Sequence, residues 1–331
     1  MRLLTIISIL SLLINNSVHS NQTSTLTVYT YDSFVSEWGP GPIIKKKFEE
    51  KYKKNLKFVA VDSAATLLNK IILEGSSTKA DIILGLDMNL FDAANKSNLF
   101  AKHKVGNINK QIRLPIKWDS DKFVPYNYGY FAFVYNNKNL KEPPLSMNEL
   151  INSTEARIVI QDPRTSTPGL GLLTWMKAIY GDNAGNEWKK LNKKIISVTK
   201  GWTDSYYNFF MAGEADIVLS YTTSPTAHIM FENNFDISAS IFEEGNYISI
   251  EFAGILKKSK NKKIANDFLK FMLSNDFQSV IPSTNIMYPV TNIDNLPDAF
   301  KNLQIPKALQ LNPKYINDNK EDWINEWLNA S

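Results

Sequence analysis

The sequence predicts an α/β fold of two lobes joined by a hinge of two extended crossings. Three observations carry that prediction. Strand-like and helix-like runs alternate between residues 25 and 85, the order that builds a parallel sheet with helices on both faces. A second alternating set runs from 146 to 221. Two extended apolar runs, 123–135 and 247–256, are placed to carry the chain between the lobes.

The first set opens with a strand at 26–31. A helix follows at 43–52, where Ile44, Phe48 and Tyr52 recur at four-residue spacing on one face. A strand at 56–61, a helix at 67–74 stopped by Gly75, and a short buried strand at 81–85 complete it. In the second set, residues 146–149 form a capping box that starts a helix. Strand 158–160, helices 169–180 and 186–193, strand 195–198, helix 204–212 stopped by Gly213, and strand 216–221 come next. Residues 264–273 read as helical, and 293–320 as a patternless loop wrapping a lobe. Trp323 and Trp327 share one helical stripe that suits packing on a lobe. The predicted division is lobe I at 21–124 and 245–282, and lobe II at 125–244 and 283–331, with hinges near 123–125 and 244–247.

The chain begins with a short basic start, an apolar run at 3–14 and small residues Val18 and Ser20, the pattern of a secretory signal peptide over residues 1–20 cut after Ser20. The net charge of +4 is dispersed, and Lys45–Lys47 and Lys257–Lys258 read as solvated faces; no nucleic-acid partner is expected. With no cysteine there is no disulfide and no thiolate nucleophile. Three histidines, one of them in the signal, give no metal-ligand pattern, so no metal site and no cofactor are expected.

In open α/β sheets ligands bind beyond the carboxyl ends of the strands. The run Gln161 to Gly171 is the most telling such end. It leaves a strand and enters a helix with Ser166 or Thr167 as N-cap and Pro168 in the first turn, which suits an anion or the polar end of a small ligand. The plain alternative is an ordinary capped helix. Other strand ends supply Tyr31, Asp32, Trp38, Asp62-Ser63-Ala64, Trp202, Asp204 and Tyr221-Thr222-Thr223-Ser224. Aromatic faces hold flat rings and attract organic cations. Against that, a lone strand-end aromatic is commonly packing, and Asp32 and Asp204 could simply cap helices.

These residues resemble the periplasmic thiamine-binding proteins of bacterial ABC importers. The likeness lies in Tyr29–Phe34, Trp38–Pro42, Ala80–Asp87, Tyr128–Tyr135, the 161–171 run, Thr199–Trp202, Leu219–Pro225 and Asn285–Val290, nearly the whole mature chain in order. The resemblance implies a type II periplasmic binding fold. It also implies a binding protein rather than an enzyme, located in the periplasm. Its ligand would be thiamine, thiamine monophosphate or thiamine diphosphate, delivered to a membrane permease with its ATPase. By motif, Ser166 and Thr167 are contacts from the helix start, and Trp202, Tyr221 and Tyr31 are aromatic walls. Thr222, Thr223 and Ser224 are polar contacts beside them. Departures fall at Ser63, where an acid is expected and Asp62 could substitute, and at Ala227 and Ile286, where aromatics are expected. The rivals are a binding protein of the same fold for ferric iron or an oxyanion, and a thiamine-degrading enzyme, whose cysteine nucleophile this chain lacks.

Overall fold

A computed structural model of the chain describes residues 25–61, 63–152 and 155–330. The predicted signal peptide and Asp62 lie outside the described residues. The strands are β1 (Leu26–Tyr31), β2 (Leu56–Val61), β3 (Ile82–Asp87), β4 (Phe123–Asn136), β5 (Ile158–Gln161), β6 (Ile195–Thr199) and β7 (Ile217–Tyr221). They continue with β8 (Ile237–Ala239), β9 (Asn246–Ile255), β10 (Tyr288–Pro289) and β11 (Ala308–Leu309).

The main sheet runs in the order β2-β1-β3-β9-β4-β7-β5-β6. Its two wings are parallel, β2-β1-β3 and β7-β5-β6, as the alternating strand–helix order predicts. The long strands β4 and β9 join the wings by antiparallel pairing. β4 pairs with β9 over Phe123 to Tyr130 and with β7 from Phe131 onward. The exchange of partners thus falls near residue 130.

Each wing has its own apolar floor. β3 and β5 are buried along their whole length. Phe91, Phe100, Trp118, Phe123 and Phe252 interlock edge-to-face and tilted beneath the first wing, with centroids 4.7–5.9 Å apart. Phe133, Trp175 and Phe242 stack beneath the second. Each such burial is worth about 1.5–3 kcal/mol.

Two helices differ from expectation. The predicted helix at 204–212 is a π-helix over Asp204–Met211, a widened geometry that recurs at functional sites. The final helix spans Pro313–Asn329, ten residues earlier than the tryptophan stripe implied. Asn312 Oδ1 starts it by accepting from Lys314 N at 2.9 Å, and Pro313 fits its first turn. It buries Trp323 and Trp327, and bonds Lys96 through Asp318 and Lys177 through Glu326. Lys96 follows β3 and Lys177 follows β5, so this helix touches both sides of the molecule. Among the described residues no helix is long and apolar enough to cross a membrane.

Candidate functional site

A cavity of about 820 Å³ opens between the wings, at the carboxyl ends of β1, β6 and β7. Its size is ordinary for a small-molecule site. Tyr31, Trp38, Ser63 and Ala64 line it from the first wing. Ser166, Thr167, Trp202, Tyr221 and Ser224 line it from the second. Thr222 and Thr223 do not line it. They are 2 % and 0 % exposed, and Thr222 N donates to Tyr130 O at 2.9 Å. Ala227 and Ile286 line the cavity as Ser63 does, so all three departures from the family pattern stand in the wall itself.

The turn after β5 is built for close approach. Gln161 donates from Nε2 to Ser205 Oγ and to Leu219 O, locking the strand end to its neighbours. The Thr165 hydroxyl donates to Lys200 O at 2.7 Å, tying the turn to the loop after β6. Ser166 holds the N-cap position of Thr167–Tyr180 in extended backbone, yet its side chain makes no capping bond. Gly169 has no alternative, because a Cβ there would clash with the Gln161 carbonyl and stand 2.6 Å from that of Asp162.

The aromatic wall is braced from behind. Trp202 donates from Nε1 to Ser220 Oγ at 2.7 Å and stacks on Tyr206 with centroids 4.8 Å apart. The Tyr206 hydroxyl meets His228 Nε2 at 2.9 Å, and His228 Nδ1 meets Glu232 Oε2 at 2.9 Å. Tyr221 leans on Phe131 at 5.1 Å. Burial, with Glu251 and Asp87 nearby, pushes its phenol well above the ordinary range. The Ser224 hydroxyl lies 2.7 Å from Ser220 Oγ and accepts from Tyr221 N, so it holds the wall together.

The most unusual group in the cavity went unread in the sequence. Glu251 lies in β9 and lines the cavity while only 9 % exposed. Its Oε2 accepts from Tyr31 Oη at 2.9 Å, Tyr126 Oη at 2.6 Å and Asn127 Nδ2 at 2.7 Å. Burial is the main cause that raises its carboxyl above the usual range, opposed by those three bonds. Both neighbouring strands bulge here: Tyr126 is the extra residue between Pro125 and Asn127, and Gly85 between Leu84 and Leu86. Gly85 has φ +104°, and any Cβ there would run into the Tyr31 ring. Across the ladder from Glu251 sits Asp87, 1 % exposed. Its Oδ1 accepts from Asn89 N at 2.8 Å; burial first, and the Glu251 charge further, push the carboxyl to about 6, opposed by the amides of Asn89 and Leu90 and by the Thr167 hydroxyl. The signal was a lone acid inside the apolar run 247–256.

Residues 283–287 close the wall beside this pair. Ile286 has φ +54°, a left-handed conformation that a β-branched residue adopts only under strain. Asn285 Oδ1 accepts from Tyr31 Oη at 3.4 Å. Among the described residues no group of three or more His, Cys, Asp or Glu side chains is arranged to hold a metal ion.

Comparison with known proteins adds three findings. The family model for bacterial extracellular solute-binding proteins matches residues 77–312. A thiamine-binding periplasmic protein of Escherichia coli (strain K12) is 49% identical over 307 residues, covering 92% of this chain and 93% of that protein. A solved periplasmic thiamin binding protein superposes with a TM-score of 0.90 at 48% identity, covering 94% of this chain and 97% of its own. A ferric binding protein from Campylobacter jejuni reaches a TM-score of 0.77 at 20% identity, covering 92% of this chain and 99% of its own, which is a likeness of fold alone.

Proposed function

This chain belongs to the bacterial extracellular solute-binding proteins, and we propose that it captures thiamine in the periplasm and delivers it to an ABC permease and its ATPase. The observation that carries the reading is that the strand-end aromatics Trp202 and Tyr221 line one cavity with the start of the Thr167–Tyr180 helix. A flat ring stacks on indole and phenol faces, and a cationic ring gains about 0.5–2 kcal/mol from each. A helix start disfavours a cation and favours an anion. The thiazolium and aminopyrimidine rings therefore lie against Trp202, Tyr221 and Tyr31, and the hydroxyethyl end or its phosphates point at Ser166 and Thr167. Nothing in this role needs a covalent step.

The same reading takes residues 1–20 as a signal peptide removed after Ser20. It assigns 21–124 and 245–282 to one lobe, and 125–244 and 283–331 to the other. The lobes close by bending where β4 and β9 cross. Closure buries the rings and presents one joined surface to the permease.

Protein purified without added ligand and then denatured should release thiamine or a thiamine phosphate, identified by mass spectrometry. Calorimetric titration of the emptied protein should give a nanomolar Kd, about 12 kcal/mol. Trp202→Ala should weaken binding about tenfold or more for thiamine and both phosphates alike, since all share the rings. No heat with any of the three at micromolar protein would end the thiamine reading. Full affinity in Trp202→Ala would end the stacking role.

A further inference from the structure

We propose that Glu251 is the counter-charge of the cleft, a subsite that selects ligands carrying a permanent positive charge on a ring. The inference deepens the thiamine reading and rests on it.

Four observations on the same few residues support it. Every hydrogen bond that Glu251 accepts comes from a neutral group, and all three end on Oε2. Its Oε1 takes no protein hydrogen bond among the described residues, and the side chain borders the cavity. Asp87, its ladder neighbour, is met only by neutral donors, the amides of Asn89 and Leu90 and the Thr167 hydroxyl. Neither acid has an ion pair among the described residues. Two acids so close and so buried are costly unless a cation balances them. Among the described residues no cation is bonded to either acid, whereas Tyr31 and Tyr221 offer the ring faces that a delocalised cation prefers.

The backbone around Glu251 is specialised for one aim. The bulge at Tyr126 turns its hydroxyl onto Oε2, and the glycine at 85 leaves room for the Tyr31 ring to do the same. With Oε2 held by three donors, Oε1 is the oxygen left to face a ligand. A carboxylate needed only for packing would not require bulges in both neighbouring strands.

The test compares thiamine with its neutral isostere, in which a thiophene replaces the thiazolium, by calorimetry on wild type and Glu251→Gln. Wild type should prefer thiamine by at least about tenfold. Glu251→Gln should lose about 10- to 100-fold for thiamine, about 1.4–2.8 kcal/mol, and only a few-fold for the isostere, so the preference collapses. Equal losses for both ligands would mean that Glu251 only supports the wall, and the inference would fall. If circular dichroism shows the variant unfolded, Glu251→Asp decides, since it keeps the charge but draws it back from the cleft: a loss confined to thiamine upholds the inference, and equal losses for both ligands overturn it. Should wild type bind neither ligand, the thiamine reading itself fails and takes the inference with it.

Discussion

Two helices begin at the cleft, Ala64–Glu74 from the first wing and Thr167–Tyr180 from the second, and each is preceded by a serine in extended backbone. Their hydroxyls have different fates. Ser63 accepts from Thr66 N at 3.2 Å and lies 3.1 Å from the Thr66 hydroxyl, so it closes its own helix. Ser166 makes no such bond. The first turn is satisfied before any ligand arrives, while the second keeps its hydroxyl and its early amides available. Rigid support surrounds that open turn: Gln161 is locked behind it, Thr165 is tied to Lys200 O, and Trp202 is braced beside it. Identical residue types at equivalent positions thus do different work, and only the neighbours decide which.

The largest effect should come from breaking the open turn. Gly169→Ala forces a methyl into the carbonyls of Gln161 and Asp162, and overpacking of this kind costs about 1–3 kcal/mol. Thermal unfolding should fall by several degrees, and thiamine phosphates should lose more affinity than thiamine, because the helix start moves away from their anionic end. A variant as stable and as selective as wild type would show that the turn has slack which the carbonyl contacts deny.

A pH titration sharpens the contrast, because the open turn and the acid pair are neighbours. Glu251, the Thr167 hydroxyl and the amides of Asn89 and Leu90 act on Asp87, and its charge in turn raises the phenols of Tyr221 and Tyr247. The Asp87 carboxyl stands at about 6 in the folded protein against an ordinary 3.8. A raised carboxyl pKa means that the fold holds this proton more tightly than the unfolded chain does. Its favourable share of stability is therefore present below the ordinary value and lost as pH rises through about 6. A bound cation reverses the sign, since it favours the ionised form. Thiamine affinity should rise several-fold between pH 5 and pH 7, while the Asp87 share of the empty protein's melting temperature falls over that range. Asp87→Asn should flatten both trends. An affinity independent of pH would remove Asp87 from any part in binding.

Much of this was legible in the sequence, and what was missed has physical causes. The alternating strand–helix order gave both parallel wings, because period and breakers are local signals. Strand ends located Tyr31, Trp38, Ser166, Trp202 and Tyr221, because a doubly wound sheet gathers such ends at one place. Glu251 was hidden for the opposite reason. It lies in mid-strand, and only two bulges and three partners distant in sequence turn it into a site. Thr222 and Thr223 were expected beside the ligand by motif, from the family resemblance. In the structure both are buried and neither lines the cavity. The helix from Pro313 carried a readable start, Asn312-Pro313, that the tryptophans further along obscured. The change of partner along β4 leaves little mark on the sequence, because the strand is unbroken through it.

The smallest effect tests the serine pair directly. Ser63→Ala removes a capping acceptor that the helix uses, which costs about 1 kcal/mol of stability. It should lower the melting temperature by a few degrees and change affinity for all thiamine forms by a common, small factor. Ser166→Ala removes a hydroxyl that its helix does not use, so the melting temperature should hardly move. Affinity for the phosphorylated forms should nevertheless fall several-fold relative to thiamine, because a hydroxyl facing an anion is lost. The two variants therefore predict crossed outcomes, one in stability and one in selectivity, from the same chemical change. If Ser166→Ala costs stability and spares selectivity, the second turn is capped in solution as the first one is, and the hydroxyl assigned to the ligand belongs to the helix.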